Sequence, residues 1–416
     1  MPGLPLTDLI VAVFVVTYIG MAFGRWPWLK IDRSGIALIG AIVLIAAGAL
    51  TVDEAARAVD LPTLLLLFGL MIVSAQYGAS GFYDGVAAKV AQLGGSPKRL
   101  LAAVILLAGG LSALLANDIV VFAMTPLLCH GLRRRGLNPT PYLIALACAA
   151  NAGSAATMIG NPQNILIGQV GKLDFTAFLG YCAVPALAAL GVTFAVVALQ
   201  WRGRWIAAAH DGTGLADVPL ASDRLQLAKA LIATAVLLVL FFTDAPREVS
   251  ALAIAALLLV SRKLASRELV AAVDFRLLLL FAGLFVVTGA LAATPLAGDV
   301  FARLAQGGWL PDRLATLTPL ALALTNTIGN VPAVILLLKV WPQPPEGALY
   351  GLALLSTLAG NLLIVGSLAN IIVAERAAAV GVKLGFADHA KVGVPVTLIS
   401  MAFAAIWLWM TGALPA

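Results

Sequence analysis

Two short polar segments interrupt apolar runs that are otherwise long enough to cross a membrane: GNPQN at residues 160–164 and GSLAN at residues 366–370. Gly160 and Pro162 disfavour a continuous helix, and Gly366 does so more weakly. The backbone amides freed at such a break form the positive end of a helix dipole, which suits anions or polarised oxygens. We therefore predict a substrate site at the two breaks.

The side chains of both segments add hydrogen-bond donors and acceptors to that site. A single break is explained equally well as a packing kink whose amides satisfy one another, but two breaks at corresponding places favour a site. The predicted substrate-binding residues of the two segments are Asn161, Pro162, Gln163, Asn164, Gly366, Ser367 and Asn370.

Asp118 is the candidate for ion coupling. It follows Asn117 between LSALLA and IVVFAMTPLL, far from any polar flank. A charged Asp at the centre of a membrane helix costs roughly 2.5–3.5 kcal/mol on insertion scales. We expect it to carry a proton or to help ligate a cation. The alternative, which is compatible with this role, is a capping Asp at a hairpin tip that accepts backbone N–H bonds.

The second half of the chain has a less polar counterpart of the pair Asn117-Asp118. Asn330 corresponds to Asn117, but Val331 stands in the place of Asp118. The two breaks are therefore chemically unequal, and the coupling chemistry is predicted in the first half. The remaining predicted substrate-binding residues are Asn117, Asn330 and Asn361, while Thr325 and Asn326 are either additional ligands or helix caps.

The composition predicts an all-α polytopic membrane protein. Hydrophobic residues make up 62% of the chain and charged residues 11%, whereas soluble proteins carry about 25% charged residues. Three dispersed cysteines indicate neither a disulfide framework nor a zinc site. The histidines have no metal-ligand spacing and are interpreted as loop or interfacial residues. We expect that the protein is not an enzyme and that it binds no metal, cofactor or nucleic acid. The histidines are His130, His210 and His389.

About 20 apolar residues cross a bilayer. Segments 99–132 and 312–340 have a polar break near the centre, and we predict that they are re-entrant hairpins. Segments 140–171 and 346–374 are predicted to be broken helices. The other predicted spans are 6–24, 34–50, 61–78, 176–200, 228–243, 249–262, 273–292 and 392–412.

The basic residues predict the orientation. If both hairpins are re-entrant, most of the 26 Lys and Arg residues fall on one side. The positive-inside rule assigns this side to the cytoplasm and leaves the N- and C-termini outside. The run Arg133–Arg135 is then a cytoplasmic anchor. We expect the plasma (inner) membrane of a prokaryote.

The chain repeats itself. Residues 59–74 (VDLPTLLLLFGLMIVS) match residues 273–288 (VDFRLLLLFAGLFVVT) at an offset of 214 positions, and GNPQNILI matches GSLANIIV at an offset of 206. Each half has five spans, an odd number, so the second half is inserted upside down. Such inverted-topology repeats are typical of secondary transporters. We predict a first repeat at 1–200, a cytoplasmic linker at 201–227 and a second repeat at 228–416.

These residues resemble the ion-transporter superfamily that includes arsenite permeases, citrate and divalent-anion symporters, and a group of sodium/proton antiporters. The resemblance covers nearly the whole chain. Its anchors are LLLLFGLMIV, the pair Asn117-Asp118, GNPQN, GNVPAVILL (329–337) and AGNLLIVGSLAN (359–370), and the last two look most like the arsenite-permease branch.

The resemblance implies a substrate held between hairpin tips and broken helices, in a unit that moves like an elevator. The sodium-coupled dicarboxylate branch carries Ser-Asn-Thr at both tips. This chain instead has Ala-Asn-Asp at 116–118 and Gly-Asn-Val at 329–331. The lost hydroxyls put sodium-coupled dicarboxylate transport in doubt, and Asp118 favours proton coupling.

The expected function is therefore a proton-coupled secondary transporter of a small anion or oxyanion, with arsenite-like export as its most specific version. The alternative is a sodium/proton antiporter of the same superfamily, in which Asp118 and nearby Asn side chains bind cations directly. The expected partners are the anion, a proton or sodium ion, and the lipid bilayer. A homodimer is a further possibility.

Overall fold

The computed structural model describes residues 6–24, 29–92, 96–206 and 223–416, and the secondary structure of these residues is helical. The helices of the first half are α1 (Leu6–Phe23), α2 (Arg33–Ala46), α3 (Val52–Ala58), α4 (Leu61–Ala79), α5 (Phe82–Gln92), α6 (Pro97–Leu114), α7 (Asn117–Arg134), α8 (Pro139–Ser154), α9 (Pro162–Val170) and α10 (Phe175–Gln200).

The second half repeats this order of helices. Its members are α11 (Arg224–Phe241), α12 (Arg247–Leu259), α13 (Ser266–Ala271), α14 (Phe275–Ala292), α15 (Pro295–Gln306), α16 (Leu314–Ile328), α17 (Asn330–Val340), α18 (Glu346–Ala359), α19 (Leu368–Ala379), preceded by a 3₁₀ turn (Ile364–Gly366), and α20 (Phe386–Met410). The prediction of an all-α membrane fold with two repeats is confirmed. The exact repeat boundaries stay a prediction, because residues 207–222 of the predicted linker lie outside the described residues.

Seven of the described helices are long and apolar enough to cross a membrane: α1, α4, α6, α10, α11, α14 and α20. Other helices of the predicted spans are shorter. α2 has 14 residues and α12 has 13, which at 1.5 Å per residue gives about 20 Å, against about 30 Å for the hydrocarbon core. α2 and α12 are therefore about 10 Å shorter than the hydrocarbon core is thick.

Helices α1–α4 and α11–α14 form one body, which we call the scaffold. Two close crossings hold it together at equivalent positions. A Cβ atom at Gly69 of α4 would lie 2.8 Å from the backbone of Ala251 in α12, and one at Gly283 of α14 would lie 2.6 Å from the backbone of Ala37 in α2. Both residues of one crossing map onto those of the other at the offset of 214. The scaffold is thus built from two copies of one interaction.

The scaffold helices also begin as the sequence predicts. Asp60 caps α4 by accepting a hydrogen bond from the backbone N–H of Thr63 at 2.9 Å. Asp274 caps α14 in the same way, through the N–H of Leu277 at 3.1 Å. A capping carboxylate satisfies a backbone donor that has no partner within the helix. The Val-Asp pair that occurs at both places in the chain therefore marks the start of a helix.

Helices α6–α10 and α16–α20 form a second body, which we call the transport unit. In it, α6 and α7 form a hairpin. The Tyr142 hydroxyl in α8 donates to the Pro97 carbonyl at 3.2 Å, so the start of α8 lies beside the start of α6. Because α8 follows α7 after a short turn, both ends of the hairpin lie together. The N–H of Asn138 bonds to the carbonyl of Trp205 at 2.8 Å, which brings the end of α10 to the same place.

Helices α16 and α17 form the second hairpin, and its ends also meet. The N–H of Leu314 donates to the carbonyl of Pro415 beyond the end of α20, at 2.8 Å. Gly347 at the start of α18 packs against Ala413. Since α18 follows α17 directly, both ends of this hairpin lie beside the end of α20.

The two hairpins enter from opposite faces. α10 and α20 are antiparallel, because Trp407 Nε1 donates to the Tyr181 carbonyl at 3.0 Å and Gln200 Nε2 donates to the Lys391 carbonyl at 2.7 Å. We call face 1 the side where α10 ends and α20 begins, and face 2 the opposite side. The first hairpin opens at face 1 and the second at face 2. The basic residues predict that face 1 is cytoplasmic.

One prediction about a histidine is wrong. His389 was expected in a loop, but it lies in the first turn of α20 and is 0% exposed. Its Nε2 atom lies 3.1 Å from the carbonyl of Asn361, and its Nδ1 atom is buried without a partner among the described residues. The short polar sequence around it resembles a loop, and only the packing of α20 on α18 explains the burial. His210 lies outside the described residues.

Candidate functional site

The first break lies between α8 and α9. Asn161 caps α9, because its Oδ1 atom accepts the N–H of Asn164 at 2.9 Å. The Nδ2 group of Asn164 donates to the carbonyls of Ser154 at 3.3 Å and Thr157 at 3.1 Å. These carbonyls belong to the end of α8 and to the loop after it. Asn164 therefore stabilises the break by satisfying backbone acceptors that a continuous helix would satisfy itself.

The second break, between α18 and α19, has the same design. Asn370 Nδ2 donates to the carbonyls of Gly360 at 2.7 Å and Leu363 at 3.1 Å. All three positions correspond to their first-half counterparts at the offset of 206. Both asparagines are 0% exposed. The broken helices are thus one arrangement used twice, and each is held open by its own asparagine.

Asn151 in α8 connects the first repeat to the second break. Its Nδ2 group donates to Asn361 Oδ1 at 2.8 Å and to Asn370 Oδ1 at 3.0 Å. Its Oδ1 atom accepts from Ser367 Oγ at 3.0 Å and from Asn117 Nδ2 at 3.3 Å. One amide therefore joins the first hairpin tip to three predicted site residues of the second half.

Thr357 in α18 makes the reciprocal connection. Its Oγ1 atom accepts from Asn161 Nδ2 at 3.3 Å and from Gln163 Nε2 at 3.2 Å, and it lies 3.3 Å from Asn164 Oδ1. Thr357 corresponds to Asn151 at the offset of 206. The sequence prediction missed both residues. The signal that could have found them is their equivalence in the repeat, since both lie about three turns into an apolar helix.

The first hairpin tip meets the first break directly. The N–H of Asn117 donates to the carbonyl of Gly160 at 3.1 Å. Asn117 is 2% exposed, and its Oδ1 atom has no hydrogen-bond partner among the described residues. The tip thus presents a buried carbonyl oxygen beside the unwound backbone.

The second hairpin meets the second break through the end of α16. Asn326 Nδ2 donates to the carbonyl of Ala359 at 3.0 Å, and Thr325 Oγ1 lies 3.5 Å from the carbonyl of Ser356. Both residues therefore hold the hairpin against the end of α18, rather than cap the start of a helix. A Cβ at Gly366 would lie 2.5 Å from Asn326 Oδ1. Asn330 Oδ1 accepts the N–H of Val331 at 2.9 Å and turns back on its own tip.

Asp118 lies at the edge of this network. It lines a cavity of about 50 Å³ together with Asn161, Pro162 and Asp274. The alternative capping role has no support, because the cap residue of α7 is Ala116 and no described backbone N–H donates to the Asp118 side chain. The cavity joins a carboxylate of the transport unit to a carboxylate of the scaffold.

The predicted site residues are thus brought together, and the exception in the hydrogen-bond network of the described residues is Asn330, whose side chain bonds within its own tip. The network that joins the others consists of neutral amides and hydroxyls, and Asp118 is the charge beside it. The described residues contain no group of three or more His, Cys, Asp or Glu side chains that could hold a metal ion. The arrangement suits binding and movement of a small polar solute rather than covalent chemistry.

Comparison with known families is consistent with this geometry. Residues 18–345 match the profile of the citrate transporter family, CitMHS. The chain belongs to this family. The match covers both hairpins, the first break and most of the scaffold, so membership accounts for the fold and for the general class of function, membrane transport. The family and several of the relatives are named as transporters.

Relatives of similar length support the assignment. The silicon efflux transporter LSI3 of Oryza sativa subsp. japonica is 26% identical over 94% of this chain and 95% of its own. The inner membrane protein YbiR of Escherichia coli K12 is 31% identical over 77% of this chain and 81% of its own. The YdaH transporter of Alcanivorax borkumensis, a solved structure, covers 99% of both chains with a TM-score of 0.59 at 14% identity. This last likeness is one of fold.

Proposed function

We propose that this member of the citrate transporter family is a proton-coupled secondary transporter of a small anion or oxyanion, and that its transport unit moves past the scaffold like an elevator. The observation that carries the proposal is an asymmetry. The scaffold is two-fold symmetric, but equivalent scaffold residues meet the transport unit at different depths. Such a mismatch is expected for one end state of a two-state movement.

Asp274 and Asp60 illustrate the asymmetry, because they are equivalent caps of α14 and α4. Asp274 shares a cavity with Asp118 at a hairpin tip, in the middle of the transport unit. Asp60 lies instead near Lys339, at the face 2 end of the second hairpin, where Lys339 Nζ donates to the carbonyl of Ala58 at 3.0 Å. The transport unit is therefore displaced toward face 1. With the predicted orientation, this is an inward-facing state.

The cavity that Asp118 and Asp274 share also supports proton coupling. Two carboxylates that share a small apolar cavity repel each other strongly when both are charged, so one proton between them is favoured. Asp118 belongs to the moving unit and Asp274 to the scaffold. Movement would separate them and change the proton affinity of Asp118. A carrier that binds its proton in one state and releases it in the other has the element that coupling requires.

The anion part of the proposal rests on the two breaks. Each supplies a helix N-terminus, at α9 and α19, and the positive end of a helix dipole favours an anion. The family is named for citrate and one relative for silicon efflux. A flux panel in proteoliposomes with citrate, sulfate, phosphate, arsenite and silicic acid tests the proposal. We expect uptake or exchange of at least one solute, driven by a pH gradient. No pH-driven flux of any of them would refute it.

A sodium/proton antiporter is the second candidate. The unpartnered Oδ1 atom of Asn117, beside Asp118 and the unwound Gly160 backbone, favours it, because hard cations bind carboxylate and carbonyl oxygens. The two functions differ in one experiment. A sodium gradient that collapses a pH gradient in vesicles without any added anion supports the antiporter and excludes the anion carrier.

A further inference from the structure

Arg33 and Arg247 are equivalent residues of the scaffold. They are related by the offset of 214, and each is the first residue of a short helix, α2 or α12. Each stands at a different face of the scaffold, because α2 and α12 run in opposite directions. In the sequence they read as ordinary basic residues at helix ends. In the structure, the two arginines have different contacts with the transport unit.

Arg33 lies at the tip of the second hairpin. Its Nη1 atom is 3.8 Å from the position of a Cβ at Gly329, the residue between α16 and α17. Its Nε atom donates to the carbonyl of Met21 at 3.2 Å, which fixes the side chain against the end of α1. No described carboxylate forms an ion pair with it. Arg33 is thus a partly buried cation that has no acidic partner among the described residues and lies against the second hairpin tip.

Arg247 instead lies at the end of the first broken helix. Its Nη1 atom donates to the carbonyl of Gly168 at 3.3 Å, and its Nη2 atom donates to the carbonyl of Leu173. Gly168 lies in the last turn of α9 and Leu173 lies between α9 and α10, so both carbonyls are at face 2. The guanidinium also lies near the carboxylates of Asp174 and Glu248. The Arg247 guanidinium therefore binds the face 2 end of the transport unit through these two carbonyls.

We propose that Arg33 and Arg247 are an alternating pair of anion-binding arginines: in each end state, one lies at a hairpin tip and receives the anion, while the other holds carbonyls at the opposite end of the transport unit. The proposal rests on the proposed transport function. It adds a residue pair that supplies the positive charge which the neutral amide network lacks. An arginine without an acidic partner suits a carboxylate or oxyanion, because its planar donors bind two oxygens at once.

The repeat specifies the contacts of the opposite state. The counterpart of Gly329 is Ala116 at the first hairpin tip, so Arg247 is expected beside Ala116. The counterparts of Gly168 and Leu173 at the offset of 206 are Ala374 and Ala379, whose carbonyls Arg33 would then bind. The two arginines therefore exchange roles when the unit moves.

The exchange can be tested without knowledge of the substrate. Spin labels at Leu29 and Thr327, both exposed, report the contact of Arg33 with the second tip. Labels at Thr243 and Leu114, their repeat counterparts, report the contact of Arg247 with the first tip. The three native cysteines are buried and free. We expect a short distance in one pair whenever the other pair is long.

The arginines should bias this equilibrium in opposite directions. Arg247→Gln removes the two bonds that favour the observed state, so the Thr243–Leu114 distance should shorten in a larger fraction of molecules. Arg33→Gln should favour the observed state. A shift of about tenfold in each population ratio is expected for the loss of charge-assisted hydrogen bonds. Shifts in the same direction, or distances that do not change with either variant, would overturn the proposal.

Anion binding gives the second test. With radiolabelled citrate and sulfate as probes, Arg33→Gln should weaken binding by about tenfold, and Arg33→Lys should weaken it less. Arg57→Gln, at an exposed arginine of α3 whose Nε atom donates only to the Asp53 carbonyl, is the control. Unchanged affinity in Arg33→Gln would refute the arginine pair alone. Absence of pH-driven flux of any anion in the wild-type protein would refute the proposed function instead.

Discussion

At the scale of single residues, Asp118 is where the coupling hypothesis can be tested most directly. It is the charged residue of the hairpin tip, and its side chain faces Asp274 across a small cavity. Asp118→Asn keeps the size and polarity of the side chain but removes the ionisable proton. We expect proton-driven transport to fall to background while the protein remains folded, as judged by gel filtration and thermal melting.

The control for this variant is Asp299→Asn, at an exposed position of α15. It should transport like the wild type. Asp274→Asn should lower coupling rather than abolish anion exchange, because Asp274 belongs to the scaffold and also caps α14 through Leu277. Wild-type flux with an unchanged pH dependence in Asp118→Asn would exclude this residue from coupling.

Asn151 and Thr357 carry a structural prediction of their own. Each bonds to the broken helix of the other repeat, so each substitution leaves buried polar partners without a hydrogen bond. Loss of such a bond costs about 1–3 kcal/mol. Asn151→Leu should therefore destabilise the protein more than Thr357→Val, because Asn151 has four partners. Thermal unfolding in detergent measures both, with Thr327→Val at an exposed position as the control.

Either of two results would count against the expected order of destabilisation, in which Asn151→Leu exceeds Thr357→Val. Equal melting temperatures of all three variants would mean that the network contributes nothing to stability. A larger loss in Thr357→Val than in Asn151→Leu would mean that the second-half connection dominates.

At the scale of helices, the sequence predicts those features that local signals specify. Gly and Pro mark the break at GNPQN, and a polar pair in an apolar run marks the first hairpin tip. Apolar runs of membrane length then predict the other spans, whereas the short helices α3, α5, α13 and α15 are not predicted. These features are short-range consequences of residue type, so their positions agree closely with the structure.

The sequence does not predict features that depend on how the helices pack. Asn151 and Thr357 stand inside apolar helices, where no pattern distinguishes a network residue from an isolated polar one. His389 is adjacent to charged residues and is nevertheless fully buried. Arg33 and Arg247 look like interfacial anchors, because depth relative to the moving unit is not encoded in spacing. Only the repeat offset, applied after the contacts are known, relates these residues to one another.

The helix crossings of the scaffold give a prediction at this scale. Gly69→Val and Gly283→Val place side-chain atoms against the backbone of the facing helix, so both should reduce the yield of folded protein to a similar degree. Overpacking of this kind costs about 1–3 kcal/mol or more. Gly191→Val in α10 is the control, because nothing lies within 4 Å of a Cβ there. Yield and thermal stability measure the effect. A tolerated Gly69→Val would indicate that α4 and α12 can separate.

At the scale of the whole molecule, the two bodies have different symmetry. The scaffold crossings obey the two-fold relation and so do the bonds of Asn164 and Asn370 that hold the two breaks, whereas the contacts between the bodies do not. A sequence with two equivalent halves has no reason to prefer one displaced arrangement over the arrangement related to it by the two-fold axis, except through unequal residues such as Asp118 and Val331. Small differences in free energy between two such states are what alternating access requires.

This movement predicts that a link between the bodies stops transport. The Tyr18 hydroxyl of the scaffold donates to the Pro332 carbonyl at the second hairpin tip, at 3.2 Å. Cysteines at both positions, joined by a short bifunctional thiol reagent, should abolish flux, because the tip could no longer leave α1. The matched control joins two scaffold positions. A Cβ at Gly289 would lie 3.1 Å from the Cβ of Ala58, so a shift of a few tenths of an ångström brings cysteines there into the range of about 3.5–4.5 Å that a disulfide requires.

The scaffold disulfide should leave flux intact, and its reduction should change nothing, whereas the Tyr18–Pro332 link should inhibit in proportion to the fraction of protein that is cross-linked. Because both pairs are cross-linked inside the membrane domain, a general effect of modification would inhibit both. Transport that continues at full rate in the Tyr18–Pro332 link would mean that the hairpin tip stays against α1 throughout the cycle. The asymmetry between the two faces would then be a fixed feature of the fold, and the elevator movement would have to be abandoned.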